Sequence, residues 1–316
     1  MKKSLIALAA LAFVGAAAAQ SSVTLYGVAD IWVGKPEFNA NGTKGKVQAG
    51  TDGVAKSRIG FKGSEDLGGG LKANFNFEQY VNLANGATNA QTFDRQANVG
   101  FSGGFGTIKL GKSWNPLDDI FGAANSGFDS ALSANGVWQN SYASTAAAQL
   151  YYATPEISGF SGAISTQLNG NVTAPAKKVS SFNVKYAAGP IYAGVGYEDG
   201  TNSKGTVNQK GTLLNGSYDL GVAKLLGSYY TTKPDGGGAK TNSYQIGADV
   251  PLSSALTLSV GYASSKVDVA GAKSATGFGV AAAYGLSKRT TIYGGLRATN
   301  NVAAKDLWAV GVNHSF

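Results

Sequence analysis

The chain has 316 residues, with 26 Lys and Arg against 18 Asp and Glu, one histidine, no cysteine and 45 glycines. The missing cysteines exclude a disulfide framework and Cys-based zinc sites, and a single histidine leaves little for His-based catalysis or metal binding. The basic excess is modest and scattered along the chain, unlike the clustered stripe of a nucleic-acid binder.

The first segment, MKKSLIALAALAFVGAAAAQ, has a charged start at Lys2 and Lys3, an apolar run from Leu5 to Val14 and small residues from Ala16 to Ala19. This order is expected of a secretory signal peptide over residues 1–19, cleaved after Ala19, and the run is too short to span a bilayer. Its removal leaves 24 basic and 18 acidic side chains, a net charge of +6. No later apolar run approaches the ~20 residues of a membrane helix, which excludes a helical membrane protein.

From residue 20 onward one period dominates. In Leu71-Lys72-Ala73-Asn74-Phe75-Asn76-Phe77-Glu78 every odd position is apolar and every even one polar. On a strand these sets face opposite sides of the sheet. About sixteen such segments are expected, near 22–33, 56–65, 71–80, 94–102, 106–113, 147–154, 160–168, 179–187, 191–198, 211–219, 222–231, 242–250, 255–264, 274–285, 290–298 and 305–316. Many reach the ~9–11 residues needed to cross a bilayer at a tilt. Tight links such as Ala188-Gly189-Pro190 and Leu252-Ser253-Ser254 alternate with long polar ones such as 34–55, 81–93, 199–210, 232–241 and 299–304. Short turns at one end and long loops at the other describe an up-and-down meander. With an even strand count and an apolar face, the expected fold is an all-β, 16-stranded antiparallel transmembrane barrel, one domain over residues 20–316. A soluble β-sandwich or secreted lectin shares the alternation. It fits the strand lengths, the aromatics near strand ends and the Lys, Arg, Glu and Asn on the polar faces less well.

One stretch competes with this reading. GTIKLGKS, Gly106 to Ser113, has the spacing of a phosphate-binding loop. Such a loop works only where a helix follows and aims its N–H groups at the phosphates. Here Trp114-Asn115-Pro116 follows instead.

Four stretches carry a resemblance: SSVTLYGVAD after the signal, SRIGFKGSEDLGGGLKANFNFE, RQANVGFSGGFGTIKLGKSWNPLDD, and the terminal AVGVNHSF. Together they resemble the general porins of Gram-negative outer membranes, β-proteobacterial branch, over essentially the whole chain. The resemblance implies a homotrimer in outer-membrane lipid and lipopolysaccharide, passing small ions and hydrophilic solutes. It also implies an internal constriction loop over about 113–146, with Phe316 as the terminal signal read by the barrel-assembly machinery. Arg58 and Arg95 match wall arginines of the family, while Tyr151 stands where relatives often have a third basic residue. Lys62 shares the lumen face of Arg58, and Lys109 points inward by parity. Lys112 joins this basic wall through the resemblance, since both it and Arg95 share the parity of apolar neighbours. Facing acids are expected from the loop, at Asp118, Asp119 and Asp129. No cofactor and no metal is implied. A mild anion preference follows from the basic wall and the +6 charge. The alternatives are a sugar- or anion-specific channel, with Trp114, Phe121 and Trp138 as an aromatic slide, or a barrel enzyme built on an acidic pair such as Asp118-Asp119.

Overall fold

The computed structural model describes residues 22–38, 45–202, 204–300 and 305–316. The expected signal segment, residues 1–19, lies outside them. Among the described residues seventeen strands form one antiparallel sheet that closes on itself. They are β1 (Ser22–Phe38), β2 (Gln48–Thr51), β3 (Arg58–Gly68), β4 (Leu71–Tyr80), β5 (Gln96–Gly103), β6 (Gly106–Trp114), β7 (Thr145–Ala153), β8 (Phe160–Gln167) and β9 (Ser180–Ala188). The series continues with β10 (Ile191–Thr201), β11 (Asn208–Asp219), β12 (Lys224–Pro234), β13 (Thr241–Pro251), β14 (Leu256–Val267), β15 (Ala275–Gly285), β16 (Thr290–Thr299) and β17 (Lys305–Ser315).

The short β2 is not an extra stave. β1 pairs with β3 over Ser22–Val28 and with β2 over Ile31–Gly34, so β2 continues the same edge above a detour at 52–57. The ring therefore has sixteen staves, closed where Val28 to Phe38 of β1 lies against Ser315 to Lys305 of β17. Every stave thus finds a neighbour on both sides, which a sheet in lipid requires.

Alternation becomes an inside-out distribution. Val23, Leu25, Phe61, Val99, Phe101, Ile246, Phe278 and Val310 are exposed on the outer face, whereas Asn98, Ser181, Asn183, Gln245 and Ser259 are buried within. The tight turn Gly68-Gly69-Gly70 has positive φ throughout, a conformation only glycine adopts freely. Several staves run past their expected ends into the polar links: β1 to Phe38, β10 to Thr201, β12 to Pro234, and β11 from Asn208. Their ladders continue where the hydrophobic alternation has ended. GTIKLGKS forms β6, paired on both sides, and no helix follows directly.

The chain between β6 and β7 turns into the barrel. It contains one α-helical turn, α1 (Asp118–Phe121), and two 3-10 turns at Gly127–Asp129 and Ala134–Val137, and lies along the inner faces of β9 to β16. Where the segment comes closest, the wall beneath it is glycine. A Cβ added to Gly196 would meet Leu117 and Ile120 at 3.0 Å, one on Gly247 would meet Ser126 at 2.5 Å, and one on Gly279 would meet the Leu132 carbonyl at 2.5 Å. Polar wall residues secure the backbone of the segment. Ser181 accepts from the Leu117 N–H at 3.0 Å, Ser259 from Gly127 at 2.7 Å and Ser265 from Gln139 at 3.0 Å. Asn183 donates to the Pro116 carbonyl at 2.6 Å, and the Glu198 carboxylate accepts from Ala143 N–H at 2.8 Å. Apolar clusters fill the rest: Leu117 and Ile120 with Leu213 and Tyr230, Leu132 with Trp32, Tyr293 and Leu307, and Ala134 and Val137 with Ala263 and Ala275. The interior core of this protein is thus the seat of one loop.

Candidate pore constriction

The loop leaves one side of the lumen open. There Lys56, Arg58, Lys62 and Arg95 on the wall face Asp118, Asp129 and Tyr142 on the loop across a cavity of about 750 Å³. Arg58 opens β3, and its register partner on β4 is Tyr80. Lys62, two inward steps along β3, stands opposite Asn76 with its ammonium 5.0 Å from the centre of the Tyr26 ring. Arg95 precedes the first residue of β5, so the strand's alternation does not bind it. Its guanidinium turns inward, 2.6 Å from Glu78 through Nε and 4.8 Å from the Trp114 ring centre.

Glu78 is the residue the sequence reading missed. It is buried, and its second oxygen lies 3.3 Å from Arg58 Nε and 2.9 Å from the Tyr26 hydroxyl. One carboxylate therefore sits between the two wall arginines and cancels part of their charge. The signal was present: Glu78 falls on the polar parity of β4 with Asn74 and Asn76. A second missed residue, Asp30, is fully buried and holds the detour that carries Lys56 to the lumen. Its carboxylate accepts from the Gly53, Val54 and Ala55 N–H groups at 2.7, 3.0 and 3.0 Å, and from Tyr293 at 2.6 Å and Asn313 at 2.9 Å.

Lys109 points inward from β6 over the Tyr151 ring at 4.4 Å. Tyr151 in turn donates to Asp119 at 2.7 Å, so Lys109, Tyr151 and Asp119 form a second contact between wall and loop. Lys112 is not brought to either group. It pairs with Ala97 on the face that carries Ile108 and Leu110, and the ladder to β7 shifts register between Gly111 and Ser113. Ser113 keeps the inward parity of Lys109 and is fully buried, while Lys112 stays on the outer parity.

On the loop, Tyr142 donates to Asp118 at 2.6 Å and Asn125 donates to Asp129 at 2.7 Å. Asp119 and Asp129 remain open to lumen water and Asp118 is half-buried. Desolvation therefore bears hardest on Asp118 and pushes its carboxyl up to about 7, with the Tyr142 hydrogen bond opposing and the neighbouring Asp119 and Asp129 adding to the rise. The loop aromatics are occupied by packing: Phe121 stacks on Tyr142 at 4.3 Å and meets Trp138 and Tyr230 edge-on at 5.7 and 5.5 Å. Trp138 also donates to the Tyr244 carbonyl at 3.3 Å. These ring contacts anchor the loop, and Phe121 and Trp138 also line an open cavity of the lumen.

A closed ring with an apolar exterior and a polar, charged interior suits a membrane channel, and the family comparison agrees. Residues 5–304 match the Gram-negative porin family. The chain is a Gram-negative porin. This porin is 34% identical to outer membrane porin protein 32 of Delftia acidovorans, over 99% of its own length and 95% of that protein. It is 29% identical to an outer membrane porin protein of Bordetella pertussis over the full length of both. Among solved structures, the anion-selective porin from Comamonas acidovorans superposes with a TM-score of 0.82 at 28% identity, covering 94% of this chain and 100% of that one. Family and fold place the porin in the outer membrane as a diffusion channel. His314, the single histidine, lies on the outer parity of β17, 2.9 Å from the Thr290 hydroxyl. No group of three or more His, Cys, Asp or Glu suited to a metal occurs among the described residues.

Proposed function

We propose that this porin passes small hydrophilic solutes with a mild preference for anions and has no catalytic activity. The observation that carries the reading is the asymmetric narrowing: Arg58, Lys62 and Arg95 on one wall, with Asp118 and Asp129 opposite. Between low-dielectric walls such charges focus their field on the passing ion. The preference is mild because Glu78 offsets the two arginines and Tyr151 replaces a third basic group. Reversal potentials across a planar bilayer in a KCl gradient test the sign, and clear cation preference overturns it. Liposome swelling with a graded solute series tests generality: smooth size dependence supports a general pore, and saturation by one solute a specific one.

The same reading assigns residues 1–19 to the export signal, the segment 113–146 to the constriction loop and Phe316 to the assembly signal. Phe316 closes the ring by exchanging backbone hydrogen bonds with Gly27 at 3.1 Å in both directions, with its ring against that glycine. A homotrimer is the assembly expected from the family. Conductance steps in groups of three support it, and single uncoupled steps oppose it.

A further inference from the structure

We propose that Asp30 is a positioning residue for ion selectivity: through the detour at 52–57 it aims Arg58 into the lumen and ties the internal loop to the barrel seam. The inference rests on the reading of that loop as the narrowing of the pore. Asp30 lies on the inward parity of β1, fully buried, opposite Asn313 of β17 where the ring closes. On its other side the ladder is interrupted. β1 pairs with β3 up to Val28 and with β2 from Ile31, so the chain leaves the sheet between Thr51 and Arg58. Asp30 stands at the gap.

The whole detour is bound to this one residue. The N–H groups of Gly53, Val54 and Ala55 converge on its carboxylate at 2.7, 3.0 and 3.0 Å. Consecutive backbone N–H groups turned to one point form a nest for an anion, and here the chain supplies the anion itself. The two ends are held by the Asp30 backbone. The Thr51 and Ser57 hydroxyls donate to its carbonyl at 3.1 and 2.9 Å, and Ser57 Oγ accepts from its N–H at 3.0 Å. Tyr293 of β16 closes the nest. It donates to the carboxylate at 2.6 Å and lies so near Gly53 that a Cβ there would stand 1.7 Å from its hydroxyl.

Two carbonyls of the detour carry the effect outward. That of Lys56 accepts from Arg58 Nη1 at 2.8 Å, and that of Gly53 accepts from the Ala131 N–H at 2.8 Å. The first matters because Arg58 has a competing acceptor, Glu78, 3.3 Å from its Nε. Held by the Lys56 carbonyl as well, the guanidinium is kept from closing fully on that carboxylate. Part of its charge stays turned to the cavity it shares with Asp118 and Asp129. The second carbonyl joins wall to loop beside the place where Leu132 packs on Trp32 and Tyr293. The Lys56 ammonium adds little of its own, since it is paired with Asp52 at 3.3 Å near the surface.

The test is Asp30→Asn in the full-length porin, which keeps the volume but turns one acceptor oxygen into a donor facing N–H groups. The anion-to-cation permeability ratio in planar bilayers should fall about twofold, as Arg58 closes on Glu78. The sign decides, because deleting a negative charge by itself would raise the ratio. A rise, or no change, in a conducting variant overturns the proposal. In an Arg58→Ala background the same substitution should leave the ratio unmoved, and an equal fall there overturns the route through Arg58. The tie to the loop is read separately, because the chain has no cysteine. Ala131→Cys should react with a maleimide on the order of fivefold faster when Asp30→Asn is added, and equal rates overturn the tie. If Asp30→Asn does not insert, Tyr293→Phe removes one donor and no charge. It should give both changes at smaller size, and wild-type values for both overturn the proposal. Wild-type channels that prefer cations, or Arg58→Ala channels of unchanged selectivity, count against the constriction reading, while the labelling rates still judge the detour on their own.

Discussion

The two sides of the lumen are built on opposite rules. From β3 to β6 the inward positions carry long charged side chains: Arg58, Lys62, Glu78 and Lys109, with Arg95 just before β5. From β10 to β15 they include Gly194, Gly196, Gly247, Gly261, Gly277 and Gly279, with Ser, Asn and Gln and the larger Glu198, Leu213 and Tyr230 between them. The first side faces water and sets the field. The second faces a peptide segment and must let its backbone come close. A sequence can place charge on a wall, but the loop reaches its seat only where glycines on the opposite wall let its backbone come close.

The comparison breaks most severely at the seat. Gly261→Leu inserts a side chain where Ser126 now lies, since even a Cβ would stand 1.8 Å from its hydroxyl. Overpacking of this kind costs about 1–3 kcal/mol or more. The loop should lift, with larger single-channel conductance and faster proteolysis within 113–146, while the barrel stays folded by circular dichroism. Next in size is the double change Arg58→Ala with Arg95→Ala. A unit charge about 4 Å from a permeating ion contributes ~1 kcal/mol in water and more between low-dielectric walls. The anion-to-cation permeability ratio should fall about fivefold or more, read as a shift of reversal potential. Glu78→Gln acts in the opposite direction and less strongly, because it only uncovers charge that the arginines already carry. It should raise the same ratio and slow the release of multivalent anions, visible as current blocks by a polyphosphate.

The smallest effect is pH-dependent. A carboxyl raised to about 7 is ionised above that value and neutral below it. Lowering pH from about 8 to about 6 therefore removes negative charge from the loop side and increases anion preference. Asp118→Asn should flatten this dependence across the same interval, while Asp66→Asn, exposed at the short-turn end of β3, should leave it unchanged.

Much of this was legible because lipid and water impose a strict two-residue period. The hairpin Arg58–Tyr80 and the inward parity of Lys62 and Lys109 follow from it directly. Arg95 did not, because it stands before the strand begins, where parity has no force. Glu78 was visible as a polar position but not as a partner, since pairing it with Arg58 and Arg95 requires the register of β3, β4 and β5 together. The short β2 stayed hidden because QAGT has no alternation. The loop seat was hidden for a different reason: glycine in a strand reads as weakness until the segment that covers it is known.

The pairing of β1 with β17 has a consequence for biogenesis. The ring is sealed by the two strands made furthest apart in time, so no shorter product can hide its edges. A chain that lacks its last stave exposes two open ladders, and in a hydrocarbon medium those unmet amides are a standing invitation to stick or to be destroyed. Completeness is thereby checked by geometry itself, since only the finished polypeptide can become a closed surface.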